Sequence, residues 1–344
     1  MKLPLSLLPF LAACSSPTLS PLPTPTWTSP HQDMEQKRDS HVSFERPWLS
    51  RVFRPSRPFN EVLPSWNVDV PKGAGLRIEI QVGDTHSWSP WLHIGDWGRV
   101  PETRRRLRYP RGRVAIDIFR SKNLFQKARF RLTAFPSDEN KEGVLLHRLH
   151  VCFSNTSHGI HPRPPSRGPK TPPLQVPLLR QGSAPKTISS QICSPSSVAM
   201  VLRSLGKAVS LLATARGIYD PHNKMYGVWN RAIQYAWTQG VRGYLTRIAS
   251  WDRVIEFTEA GQPLIISIAF EKGQLRNAAF SRSDGHLIVL LGLNPDGTRV
   301  IVADPGAGSN ESVRRSYFRE DLSKCWMERG GYCYVLEGPS KPSK

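Results

Sequence analysis

The sequence predicts two folded domains of different class, an all-β sandwich followed by an α+β domain. Three observations carry this: short alternating runs broken by Gly and Pro fill the first half, helical spacing around one cysteine opens the second, and long apolar, β-branched runs follow. At 344 residues the chain is long enough for two cores, and 39% hydrophobic content is ordinary for globular protein. The formal charge of +20 favours anionic polymers or surfaces as partners and says nothing about fold. No internal apolar run reaches the length of a membrane span. The cysteines, at 14, 152, 193, 325 and 333, lack the paired CxxC spacing of a zinc site, and nothing calls for a metal or a cofactor.

Residues 1–13 read as a signal peptide, with Lys2 as the positive region and Leu3 to Leu11 as the apolar core. Leu11-Ala12-Ala13-Cys14 resembles the lipobox of bacterial lipoproteins, which makes Cys14 the lipidation site. That implies export to the cell envelope, at the outer membrane or cell surface, with membrane contact through the lipid alone. Residues 14–41 are expected to be a tether, because Ser15 to Pro30 (SSPTLSPLPTPTWTSP) is Pro/Ser/Thr-rich and extended.

The sandwich, jelly-roll-like, is placed at 42–153. Leu76–Val82 alternates apolar and polar strictly, and Val114–Phe119 and Ala128–Phe135 nearly so, as half-buried strands do. Trp66, Trp88, Trp91 and Trp97 gather here; core or rim packing is favoured over a row that stacks on sugar rings. Residues 99–113 hold seven arginines, including Arg104, Arg105 and Arg106. This patch reads either as a contact for phosphate- or carboxylate-bearing surface polymer, or as an edge strand kept from pairing by charge. No nucleic-acid-binding motif accompanies it, and nucleic acid is not expected as a partner. Residues 154–175 are a linker by composition, too rich in Pro and polar residues to bury anything, and His158 and His161 within it are read as solvated.

The α+β domain is placed at 176–338, with 339–344 as a tail. Val198, Val201, Leu202 and Leu205 recur at helical spacing, Pro195 suits a first turn, and Gly206 is a natural stop. Cys193 therefore stands at a helix mouth, where the macrodipole and unpaired N–H groups favour a thiolate and an oxyanion. Further helices are expected over Gly227–Gly240 and Ser250–Gly261, the latter with Ser250 as N-cap. Strands are expected over Leu264–Phe270, Leu287–Leu293, Arg299–Ala303 and Gly331–Leu336.

A turn then pairs two residues distant in sequence. Asn294-Pro295-Asp296-Gly297-Thr298 suits a type I turn with a left-handed glycine, giving a three-residue loop with Asn294 opposite Thr298. On that register Asp304 faces Ile288, and His286 is its diagonal neighbour on the same face, about 7–8 Å away at the backbone. Imidazole and carboxylate close that gap to a hydrogen bond, orienting a base for the Cys193 thiol. A two-residue loop would put them on opposite faces.

The segments Val176–Gln181, Cys193–Leu202, Gly285–Gly292 and Val302–Pro305 together resemble the four motifs of the bacteriocin-processing (double-glycine) peptidase-like family of papain-like cysteine peptidases. The resemblance covers about 176–336 and implies a papain-like α+β fold. It implies Cys193 as nucleophile, His286 as base and later acid, Asp304 as orienting residue, and Gln181 as oxyanion donor. Gln191 competes for the last role, but Gln181 ends the Val-Pro-x-x-x-Gln pattern and is preferred. The preceding sandwich is similar to the N-terminal part of exported members. The implied activity is a cysteine peptidase or amidohydrolase acting on a peptide or amide through a thioester; an acyl transferase would use the same triad. The alternative is a surface-polymer- or carbohydrate-binding protein with an inactive peptidase-like domain. Export would let Cys325 and Cys333 form a disulfide, or they are buried thiols; Cys152 is then expected to be buried without a partner.

Overall fold

A computed structural model describes residues 31–37, 39–101, 108–138 and 143–338. Cys14 and the Arg104-Arg105-Arg106 patch lie outside them. The described chain divides into two compact units, 31–157 and 158–338. No helix among the described residues is long and apolar enough to cross a membrane.

The first unit is all β, with ten strands: β1 (His31–Gln36), β2 (Ser40–Val42), β3 (Trp48–Leu49), β4 (Phe59–Asp69), β5 (Gly75–Gly83), β6 (Leu92–Gly98), β7 (Arg113–Ala115), β8 (Ile118–Phe125), β9 (Lys127–Phe135) and β10 (Val144–Ser154). One sheet runs β1-β10-β4-β8-β7 with β2 also on β10, and the other runs β3-β9-β5-β6. Alternation sends Val62, Trp66 and Val68 of β4, and Leu76, Ile78 and Ile80 of β5, into a shared core. Phe59 and Phe153 stack there at 4.8 Å between ring centroids.

Three expectations change in this unit. The tether does not reach residue 41, because His31–Gln36 already pairs along β10 in unbroken register. Val114–Phe119 is not one strand: Ile116 takes φ 63°, and the chain reverses so that Ala115 pairs with Ile118. Alternation cannot reveal a two-residue turn placed on a β-branched residue, where sterics disfavour a positive φ. Cys152 is buried and disulfide-bonded, against the expectation that it lacks a partner.

The tryptophans also separate. Trp66 is core at 1% exposure, whereas Trp88 and Trp91 are half-buried beneath cations. Lys127 and Arg129 lie 4.7 Å from the Trp88 centroid, and Arg131 lies 4.6 Å from that of Trp91. Those ring faces are occupied by the chain's own cations, which argues against a sugar-stacking row.

The second unit places four helices around one sheet. They are α1 (Cys193–Ser204), α2 (Leu211–Ile218), α3 (Trp229–Thr238) and α4 (Trp251–Glu259); a short α5 (Arg319–Leu322) follows later. The strands are β11 (Gly243–Arg247), β12 (Leu264–Phe270), β13 (Ser283–Leu293), β14 (Arg299–Ala303), β15 (Arg314–Phe318) and β16 (Tyr332–Leu336), in the order β11-β16-β12-β13-β14-β15. Every neighbouring pair is antiparallel. Ser250 stands at the N-cap of α4 but its side chain makes no capping bond. Helix α2, capped by Ser210, and strands β11 and β15 were not legible from the pattern.

The Pro-rich segment 158–175 is no free linker but a strap on this unit. The Ser166 amide donates to Asp252, Arg167 forks onto Glu259 at 2.7 Å through both nitrogens, and the Leu174 amide donates to Leu291 O. Prolines supply extended backbone of low conformational entropy, so a few bonds hold the segment down. Cys325 and Cys333 are both thiols and form no disulfide. Each sulfur is turned to a different carbonyl, Gln274 for Cys325 and Tyr334 for Cys333.

Candidate active site

Cys193 is the first residue of α1 and is partly exposed, while the residues behind it, from Ser194 to Leu202, are buried. No side chain caps this helix, so its first-turn amides are open to other partners. The backbone N–H groups of Leu287, on β13, and of Ser194 favour the ionised form of the Cys193 sulfur. Ser197, one turn along, donates to the Leu287 carbonyl at 3.0 Å. The Leu287 carbonyl is fastened to α1 and its N–H faces the thiol, which places Cys193 beside the preceding residue, His286.

His286 is 3% exposed and Asp304 1%. The ring shares a proton through Nε2 with Asp304 Oδ1 at 2.7 Å, which leaves Nδ1 for the bond to Cys193. Burial alone would lower the imidazole pKa, but the charge and hydrogen bond of Asp304, with help from Cys193, push it up to about 10. Burial alone would raise the thiol, yet the His286 hydrogen bond and charge hold it below its ordinary value. Burial also works against the Asp304 carboxylate, and His286 and Tyr317 outweigh it, so its pKa is lowered. The three shifts agree in sign: each favours the charged form of its group, thiolate, imidazolium and carboxylate.

The meeting of His286 and Asp304 depends on a defect in the hairpin. The turn is a four-residue loop: the Gly297 amide donates to Asn294 O, as a type I turn requires, but Asn294 pairs with Arg299 and not with Thr298. Left uncorrected, that register would move Asp304 to the wrong face. It persists through Leu293↔Val300 and Gly292↔Ile301, then a bulge shifts it to Leu290↔Val302 and Val289↔Ala303. Continued one step, the shifted register sets Asp304 opposite Ile288, with His286 diagonal to it. Gly292 makes the bulge possible: its φ is +144°, and a Cβ there would stand 3.1 Å from Pro173 Cα in the strap. The predicted pairing is thus reached by a longer loop and a bulge that cancel.

Gln181 arrives by a backbone bond, its amide donating to Pro305 O at 2.8 Å, one residue from Asp304. Its side chain is 7% exposed, and its Oε1 is buried with no hydrogen-bond partner. Gln191 is exposed in the turn before α1. Phe280, which the sequence did not single out, stands edge-on to the His286 ring at 5.1 Å. Its own edge fills the space where a side chain at Gly306 would be, and the Gly306 amide donates to Asp304 Oδ1 at 2.8 Å. Tyr317 on β15 was missed as well; it donates to Asp304 Oδ2 at 2.6 Å. Its run, Arg314–Phe318, carries no motif.

Residues 173–334 match the model of the Peptidase_C39 like family, and residues 18–154 match that of the Peptidase C39 N-terminal domain. A double glycine motif protease from an AMS/PCAT transporter, solved in complex with the leader peptide, is similar at 18% identity and TM-score 0.34; it covers 50% of this chain and 99% of its own. A putative C39-like peptidase from Bacillus anthracis is similar at 19% identity and TM-score 0.38, over 48% of this chain and 96% of that one. No curated protein matches. From residue 173 to 334, the chain belongs to the Peptidase_C39 like family.

Proposed function

We propose that the chain is an exported, papain-like cysteine peptidase or amidohydrolase working through a thioester, with Cys193 as nucleophile, His286 as base and then acid, Asp304 as orienting carboxylate and Gln181 as oxyanion donor. The observation that carries this reading is His286, with one ring nitrogen on a buried carboxylate and the other on a thiol at a helix N-terminus. The Cys193 thiolate attacks the substrate carbonyl carbon, and as the C–S bond forms the π pair moves to oxygen, held by the Gln181 carboxamide and the Cys193 amide. When the pair returns, the C–N bond breaks and the leaving amine takes the imidazolium proton. Water then gives a proton to His286 and its oxygen attacks the thioester; the C–S bond breaks and the thiolate is restored.

The test is the pH dependence of Cys193 alkylation by iodoacetamide, read on the Cys193 peptide by mass spectrometry, in the native chain and in His286→Ala. The reading expects an apparent thiol pKa well below about 8.5 that the variant loses. Two superimposed profiles of an ordinary thiol would sink it. Hydrolysis of a peptide library, absent in Cys193→Ala, establishes turnover.

Export is supported by the Cys152 disulfide, which persists in oxidising compartments. Lipidation of Cys14 is tested by the mass of the Cys14 peptide. An anionic surface polymer is the proposed partner of the first domain, on the strength of the +20 charge and the arginines of 99–113.

A further inference from the structure

Asp304 has more support than a simple orienting carboxylate requires. Oδ1 accepts from His286 and from the Gly306 amide, and Oδ2 accepts from the Tyr317 hydroxyl at 2.6 Å. Tyr317 is fully buried, at 0% exposure, and the strand that carries it pairs Tyr317 with Val300 on β14. Arg315, two residues back and on the same face of β15, sets its positive charge beside the same hydroxyl, and its Nη1 is buried with no hydrogen-bond partner. An ionised carboxylate only accepts, so the Tyr317 proton is directed at Asp304. The direction of every bond in the chain is thereby fixed.

We infer that Tyr317, with the Arg315 charge beside it, is a positioning residue for the reaction: it locks the Asp304 carboxylate in plane and ionised, and through it sets the His286 ring toward Cys193. This rests on the catalytic reading above. The groups facing Asp304 are His286 from β13, Tyr317 and Arg315 from β15 and, beyond the ring, Cys193 from α1. Removing the hydroxyl leaves a buried carboxylate oxygen with no donor, and such an oxygen favours the protonated acid. A protonated Asp304 no longer stabilises imidazolium, and the thiol reverts toward an ordinary one. Burial and the Asp304 charge hold the Tyr317 phenol well above its ordinary value, so it remains a donor at every pH at which the thiol titrates.

The experiment is Cys193 alkylation against pH in the full chain, for native protein, Tyr317→Phe, Arg315→Met, Asp304→Asn and the Tyr317→Phe/Asp304→Asn double variant, with His286→Ala alongside. The inference expects Tyr317→Phe to raise the apparent thiol pKa by about one unit. Arg315→Met should move it less in the same direction, and Tyr317→Phe should add nothing in the Asp304→Asn background. It is overturned if the Tyr317→Phe profile superimposes on the native one, or if the shift is as large when Asp304 is already Asn, since the tyrosine then acts as packing alone. Where Tyr317→Phe fails to fold, 3-fluorotyrosine at 317 keeps the shape and strengthens the donor, and the thiol pKa should fall; no fall overturns the inference. Loss of the proposed function itself has a different signature, a His286→Ala profile equal to the native one, and it takes this inference with it.

Discussion

His150 in the sandwich and His286 in the second domain are built alike at first sight. Each is buried and hydrogen-bonded to a buried aspartate, His150 to Asp33 at 3.2 Å and His286 to Asp304 at 2.7 Å. Burial alone would lower both imidazoles, and in both the carboxylates reverse that. They differ at the second ring nitrogen. That of His150 lies 3.9 Å from Glu35, itself bonded to Arg148 at 2.8 Å, so the proton is held within a cluster of fixed charges. That of His286 meets a partly exposed thiol, a group that can exchange the proton with the ring. The sandwich even has a cysteine on the same face of β10, Cys152, but its sulfur is in a disulfide. A raised histidine pKa therefore does not mark an active site; a transferable proton and an opening to solvent do.

The largest expected effect separates the two directly. His286→Ala should lower kcat/KM on a peptide substrate by about 10²–10⁴-fold. His150→Ala should leave the Cys193 alkylation profile unchanged and instead lower unfolding free energy on the order of 3 kcal/mol, by leaving Asp33 and Glu35 under-compensated. Should His150→Ala move the thiol profile, the comparison breaks.

Gly292→Ala comes next. Strain at φ +144° and the approach to Pro173 should cost about 1–3 kcal/mol in chemical unfolding. Because the bulge sets the face that Asp304 occupies, the thiol pKa should also rise toward about 8.5. A destabilised variant with native alkylation kinetics would show that the bulge serves stability only. In the sandwich, Ile116→Gly relieves φ 63° without touching any site, and should stabilise by up to about 1 kcal/mol with the alkylation profile unmoved.

The smallest effect is one the two histidines share. Each has a folded pKa above the ordinary 6.5, so its contribution to stability is complete below pH 6.5 and is lost as pH rises through the folded value, about 10 for His286. Thermal unfolding from pH 5 to 10, native against each alanine variant, should show both differences shrinking with rising pH. A difference that grows with pH would mean that the ring is buried neutral.

Much of this was legible beforehand because it is local. Cys193 at a helix mouth follows from the period of Val198, Val201, Leu202 and Leu205, and the strand character of Leu264–Phe270 from β-branched composition; α1 and β12 lie where that pattern places them. The His286–Asp304 contact was legible in outcome but not in cause. A Pro-Asp-Gly turn admits loops of three or four residues, and only pairing with the neighbouring strand shows which one forms and where a bulge compensates. The strap 158–175 was misjudged because composition reports what a segment buries in itself, not which surface holds it down.

By itself the sequence determined two domains, their classes, the helix that presents the thiol, and the order Cys, His, Asp, since each is written in spacing within a few residues. Tertiary structure alone decided which carboxylate oxygen meets which donor, that Tyr317 lies behind Asp304, that Phe280 stands over His286, and that Cys325 and Cys333 remain thiols. Those contacts join strands and loops far apart in the chain, and side-chain direction across a sheet changes with every one-residue shift of register. No local pattern carries that information; the pairing of β13 with β14, and of β14 with β15, does.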